Sequence, residues 1–74
     1  MAVDIELFGQ LLSDQPRRRA LEIPGPVTAL DLAQKIGLDP SEIGFVAIDS
    51  VQSDLKDLVQ PDSRICFFPY ITGG

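Results

Sequence analysis

The residues with the plainest chemistry are the last two. Gly73 and Gly74 follow Thr72 and the apolar run Ile65-Cys66-Phe67-Phe68-Pro69-Tyr70-Ile71, so a strand feeds a bare diglycine. Glycine has no Cβ, and a backbone without side chains can enter a channel that a branched residue would block. At a usual glycine frequency of about 7%, two glycines at given positions coincide by chance in roughly 0.5% of chains. The expectation is therefore a carboxylate on Gly74 meant for delivery into a partner's site. A terminal carboxylate, with a pKa of about 3.3 to 3.7, is anionic and a poor electrophile at neutral pH. Acyl-adenylation gives it a good leaving group, after which either a sulfur species or an amine can attack.

The rest of the chain supplies little that could do this chemistry unaided. Seventy-four residues make one small domain, and a chain of that size buries only about 60% of its unfolded surface, leaving little room for an enclosed active site. With no histidine and only Cys66 as a thiol, neither a zinc site, a disulfide framework nor a His-assisted nucleophile can be built. No glycine-rich phosphate loop is present, so any ATP and magnesium needed for activation would come from a partner, and no cofactor or metal is expected on this chain.

Six basic against eleven acidic residues give a net charge of −5, which argues against nucleic acid as a ligand. The one basic cluster, Arg17-Arg18-Arg19, reads as a solvated turn and strand start. Met1-Ala2-Val3-Asp4 carries an acid where a signal peptide would be basic, and no apolar run approaches the ~20 residues of a membrane span. A soluble, cytoplasmic protein without membrane contact is expected.

Positioning the tail falls to a short series of elements. Val3, Ile5 and Leu7 alternate with Asp4 and Glu6 as a half-buried strand, leaving Phe8 on the outer face. After a connection over Gly9 to Gln15, Arg17 to Ile23 is a second strand of a hairpin. Pro24-Gly25-Pro26 breaks the chain before a helix from Thr28 to Ile36, with Thr28 as cap, Asp31 at the reciprocal position and Gly37 as stop. Asp39-Pro40-Ser41-Glu42 predicts one further short turn. Phe45 to Ile48 is a third strand with Val46 and Ile48 inward. Between Val51 and Val59 a very short strand and a loop are expected, with Leu55 and Leu58 plugging the sheet's edge. The last strand, Arg64 to Phe68, turns Ile65 and Phe67 to the core and Cys66 and Phe68 outward. Its continuous apolar character suits a central position.

This order is that of an α+β, ubiquitin-like β-grasp: a mixed four- to five-stranded sheet on one main helix, with the first and last strands parallel at the centre. The domain is expected over 1–70 and a flexible diglycine tail over 71–74.

Along its whole length the chain resembles the β-grasp sulfur carriers, above all the small subunit of molybdopterin synthase (MoaD-like), with the thiamine carrier (ThiS-like) as near relative. The resemblance is carried by Val3 to Phe8 followed by Gln10-Leu11-Leu12, by the Thr28 to Ile36 helix, and by Arg64-Ile65-Cys66-Phe67-Phe68-Pro69 leading to Gly73-Gly74. Where the group usually has a Gly-Asp turn before its last strand and an asparagine after its third, this chain has Pro61-Asp62 and Asp49. The resemblance implies that a ubiquitin-activating-like adenylyltransferase adenylates Gly74. A sulfur donor enzyme then converts it to a thiocarboxylate, and the molybdopterin synthase large subunit or an equivalent acceptor takes the sulfur. The carrier is then a co-substrate or small subunit and not itself an enzyme.

Two surface expectations complete the reading. At about 3.3 to 3.6 Å per residue, Ile71 to Gly74 can project roughly 13 Å, on a base stiffened by Pro69 and Tyr70. Proline there also interrupts an aggregation-prone strand. Phe8, Phe45, Cys66 and Phe68 would form an apolar outer patch, which in a small domain marks a docking surface. Partner contact is accordingly expected at Phe8, Phe45, Phe68, Pro69, Tyr70, Ile71 and Thr72. Cys66 itself reads as a packed small hydrophobe. Two other functions use the same end: a ubiquitin-like modifier joined to lysines through Gly74, and an interaction module whose tail only binds.

Overall fold

Alternation of apolar and polar residues sets the first strand, β1 (Ala2–Leu7), whose Val3, Ile5 and Leu7 are all but fully buried. The computed structural model describes residues 1–70; the expected tail, 71–74, with the site residues Ile71, Thr72, Gly73 and Gly74, lies outside the described residues. β1 pairs antiparallel with β2 (Arg18–Glu22), in register from Ala2 with Glu22 to Glu6 with Arg18. β2 is an edge strand, which explains its charged outer residues and the tolerance of Arg19 among the inward positions.

Two-residue strands β3 (Val27–Thr28) and β6 (Leu58–Val59) pair with each other in a separate small sheet. Helix α1 (Ala29–Lys35) starts directly from β3. Thr28 Oγ1 accepts from the Asp31 amide at 3.1 Å, and Asp31 Oδ2 accepts from the Thr28 amide at 3.4 Å, so the short aspartate closes the box with a long second bond. A 3₁₀ turn over Pro40–Glu42, capped by Asp39, leads into β4 (Ile43–Ile48). A tight turn at Asp49 and Ser50, both with positive φ, joins β4 to β5 (Val51–Ser53). The last strand is β7 (Arg64–Pro69).

The five-stranded sheet runs β2-β1-β7-β4-β5, with β1 and β7 parallel neighbours at the centre and the other pairings antiparallel. This is the β-grasp arrangement. Ala29, Leu32, Ala33 and Ile36 of the helical segment join Val3, Ile5, Leu7, Val46, Ile65 and Phe67 of the sheet in one buried cluster. Burial of large side chains of this kind contributes about 1.5–3 kcal/mol each.

Three expectations need correction. Leu58 does not plug the sheet: it is 57% exposed, and Val59 is fully buried in its place. Leu55 does pack against the core. The physical reason is the β3–β6 pairing, which fixes the alternation of that segment so that Val59 turns inward. The segment Val51 to Val59 therefore holds two short strands instead of one. The third sequence strand also begins earlier than expected, at Ile43, because a bulge between Ile43 and Phe45 lets pairing with β7 continue.

Candidate functional site

Three aromatic rings, two from strands and one from just beyond a third, meet on the outer face of the sheet. Phe8 lies just past the end of β1, where its amide donates to the Phe67 carbonyl at 3.0 Å and prolongs the parallel ladder. Phe45 is paired in register with Phe68. The Phe68 ring stacks on Phe8 with centroids 4.5 Å apart and on Phe45 at 4.3 Å, the planes within 9° and 7° of parallel. Aromatic pairs of this kind contribute about 0.5–1.5 kcal/mol each beyond their buried area. Phe68 is thus held from both sides, while Phe45 is 36% exposed at the free end of the stack. The sequence places Phe8, Phe45 and Phe68 together, and they are together.

Cys66 departs from that group. It shares the outer side by alternation but is only 7% exposed and belongs neither to the aromatic stack nor to the core cluster. In register it lies between Glu6 and Ala47 on the central strand, so neighbours on both sides cover its small side chain. It packs as the small hydrophobe expected of it and adds nothing to an open apolar surface.

Next along β7 come Pro69 and Tyr70. Pro69 is paired with Ile43 across the bulge, and Tyr70 is 63% exposed. A surface groove lined by Gln10, Leu11, Ser41, Glu42, Pro69 and Tyr70 lies beside this end of the strand. Tyr70 also lines a second hollow together with Phe45, and so adjoins the exposed end of the aromatic stack.

Charge surrounds the opposite end of the strand. Glu6 lies 4.0 Å from Arg18 and 3.9 Å from Arg64 on the outer face, loose contacts of the kind that contribute little to stability. Asp49 does more: its two carboxylate oxygens accept from the Ser63 hydroxyl and the Arg64 amide, both at 2.9 Å. The Arg64 amide bond, then that from Ser63, holds the Asp49 carboxyl below its ordinary pKa. Hydrogen bonds from Ser41 do the same for Asp39. Asp57 accepts from the Asp54 amide at 2.8 Å and so shapes a turn.

Arg17 corrects the reading of the basic cluster as solvated. Its guanidinium donates to the carbonyls of Gly9, Leu11 and Leu12, and so fastens the β1–β2 connection from within. Leu11, in that connection, is 3% exposed and part of the core. Arg17 was unreadable from spacing because its partners are backbone atoms. Gly44 lies outside the expected strand from Phe45 to Ile48, although an isolated glycine in an apolar run is a bulge signal.

Among the described residues, no group of three or more His, Cys, Asp or Glu side chains is placed to hold a metal ion. No described helix is long and apolar enough to cross a membrane. Set against solved structures, the chain is similar to the crystal structure of SAMP1 from Haloferax volcanii, with a TM-score of 0.77, 17% sequence identity and full coverage of both chains. That likeness is one of fold, and it agrees with the ubiquitin-like β-grasp read from topology. No protein-family model matches the chain, and no curated protein matches it.

Proposed function

We propose that this protein is a sulfur carrier whose Gly74 carboxylate is adenylated and then thiocarboxylated, with delivery of the sulfur in molybdopterin biosynthesis. The observation that carries this reading is the position of β7. It is the central strand of a β-grasp sheet, it passes through the aromatic stack at Phe68, and it ends at Pro69 only five residues before Gly74. The resemblance of the sequence to MoaD-like carriers supplies the rest.

In the proposed chemistry an adenylyltransferase of the ubiquitin-activating kind binds ATP and magnesium. The Gly74 carboxylate attacks the α-phosphorus and pyrophosphate leaves. A persulfide from a sulfur donor enzyme then attacks the acyl carbon and expels AMP. A thiol cleaves the resulting acyl disulfide, leaving as a mixed disulfide and releasing the thiocarboxylate. The synthase large subunit or an equivalent acceptor receives the sulfur. Phe8, Phe45 and Phe68, with Pro69, Tyr70, Ile71 and Thr72, form the partner-facing surface, and Gly73 gives the end its slender approach.

Removal of Gly73 and Gly74 tests this. The core residues Ile65 and Phe67 lie upstream, so unfolding should be unchanged while sulfur loading is abolished. A truncated chain that still acquired sulfur would reject Gly74 as the acceptor.

A further inference from the structure

Pro69 is enclosed by two glycines that reach it from opposite sides. From the turn after β1, Gly9 (φ +62°) approaches so closely that a Cβ there would lie 2.6 Å from Pro69 Cγ and 3.2 Å from Cδ. From the bulge in β4, a Cβ on Gly44 would lie 2.6 Å from the Pro69 carbonyl oxygen, 2.9 Å from its carbon and 3.0 Å from Tyr70 Cα. Neither side chain could be added without displacing its neighbour. Gly25 and Gly37, by contrast, face open space, with nothing within 4 Å. Tight clearance thus falls on the two glycines at the end of β7.

The geometry of proline makes this consequential. Its ring fixes φ near −65° and removes the N–H, so only ψ is left to steer the chain beyond it. Rotation about ψ swings the carbonyl oxygen and Tyr70 Cα, the atoms against which Gly44 rests. Gly9, meanwhile, rests against the ring. One glycine seats the residue and the other limits its last free torsion.

We infer that Gly9 and Gly44 are positioning residues that hold Pro69 so that the chain leaves the sheet at Tyr70 in one direction, the direction in which the activating partner receives Gly74; this rests on the carrier reading above. The aromatic stack and this clamp divide the labour. The stack governs how tightly the partner holds the domain, and the clamp governs the direction in which the chain sets out from the sheet at Tyr70. A tail that sets out in the wrong direction brings its end to the reacting position less often, which lowers the rate of the step without changing the docked face.

The test has a kinetic arm and a structural arm. Gly44→Ala should lower kcat for adenylation of Gly74 by roughly 10- to 100-fold, with KM for the carrier within about twofold of wild type because the aromatic face is intact. Gly9→Ala carries added strain from its positive φ, so it is measured in two backgrounds. With Pro69→Ala the ring atoms Cγ and Cδ are gone and only the 3.7 Å approach to Cβ is left. Gly9→Ala should therefore slow activation strongly beside Pro69 and little beside Ala at that position, whereas backbone strain alone would act equally in both.

The structural arm reads the Tyr70 amide by NMR without any partner. In wild type its order parameter should match the interior of β7, about 0.85. In Gly44→Ala its residual dipolar coupling should change while those of β1 and the interior of β7 do not. Unchanged kcat in Gly44→Ala, a rise in KM alone, or a Tyr70 amide already disordered in wild type would overturn the clamp. A wild-type chain that is never adenylated would remove the carrier reading instead, and the Tyr70 coupling would still decide whether the clamp exists.

Discussion

At its start, β7 is tied down by polar bonds: Asp49 accepts from the Ser63 hydroxyl and the Arg64 amide, and the Asp49 amide donates to the Arg64 carbonyl at 2.8 Å. At its end, Pro69 offers no N–H; it is paired with Ile43 across the bulge and closely approached by Gly9 and Gly44. Both ends are fixed, but by different forces. Hydrogen bonds to a carboxylate respond to pH and to the loss of a charge. Steric enclosure responds to neither and fails only when an atom is added. The end nearest the proposed reaction should therefore be the less sensitive of the two to pH.

The largest effect should come from breaking what joins the two ends. Phe67 is fully buried between them, and Phe67→Ala should cost about 3–5 kcal/mol of stability, read by denaturant unfolding. A loss under 1 kcal/mol would mean that the strand is not the common support on which both ends depend.

Docking comes next. Phe45 is the exposed member of the stack, so Phe45→Asp puts a charge where an apolar partner surface would have to desolvate it, without removing a core contact. Affinity for the activating enzyme should fall by about tenfold or more in calorimetry, with the free domain still folded and less stable by only about 0.5–1.5 kcal/mol, the loss of one stack. Phe68→Asp should weaken binding too, but it also breaks both stacks and lowers stability by about 1–3 kcal/mol. Wild-type affinity in both variants would show that partners dock elsewhere.

The contrast between the ends can be sharpened with acid. The Asp49 carboxyl has a lowered pKa in the folded state. Its contribution to stability is therefore fully present above the unfolded value, about 3.9, and is lost as pH falls through the lower folded value. Asp49→Asn should flatten the loss of stability below about pH 4, and Gly44→Ala should leave that pH dependence unaltered. If both variants titrate alike, the two ends are not held separately. Thr28→Ala, remote from either end, should cost only about 1 kcal/mol by loss of the helix cap, measured as a small fall in thermal midpoint.

Much of this was legible in the sequence because it rests on local pattern. The alternation at Val3, Ile5 and Leu7, the Thr28 cap with Asp31, and the apolar run of β7 each state a burial or a hydrogen bond that the structure contains. The outer placement of Phe8, Phe45 and Phe68 followed from the same parity. What escaped has no periodicity to read. A two-residue strand such as β6 cannot alternate visibly, so the exchange of Leu58 for Val59 needed β3 to be seen opposite it. Arg17 looked like surface charge because its acceptors are carbonyls from a folded connection. The approach of Gly9 and Gly44 to Pro69 joins residues far apart in sequence, and only the sheet brings them together.

The central claim, that Gly74 carries sulfur, is tested most directly by the mass of the C-terminal peptide. The intact protein is incubated with ATP, magnesium, an activating enzyme and a persulfide donor, and the peptide is read with and without the acceptor complex. The account predicts an ATP-dependent adenylate, then a peptide heavier by the exchange of one oxygen for sulfur, and loss of that sulfur when the acceptor and its pterin-type substrate are added. An active preparation that joins Gly74 only to lysine side chains, with no thiocarboxylate, would contradict it and make the protein a modifier.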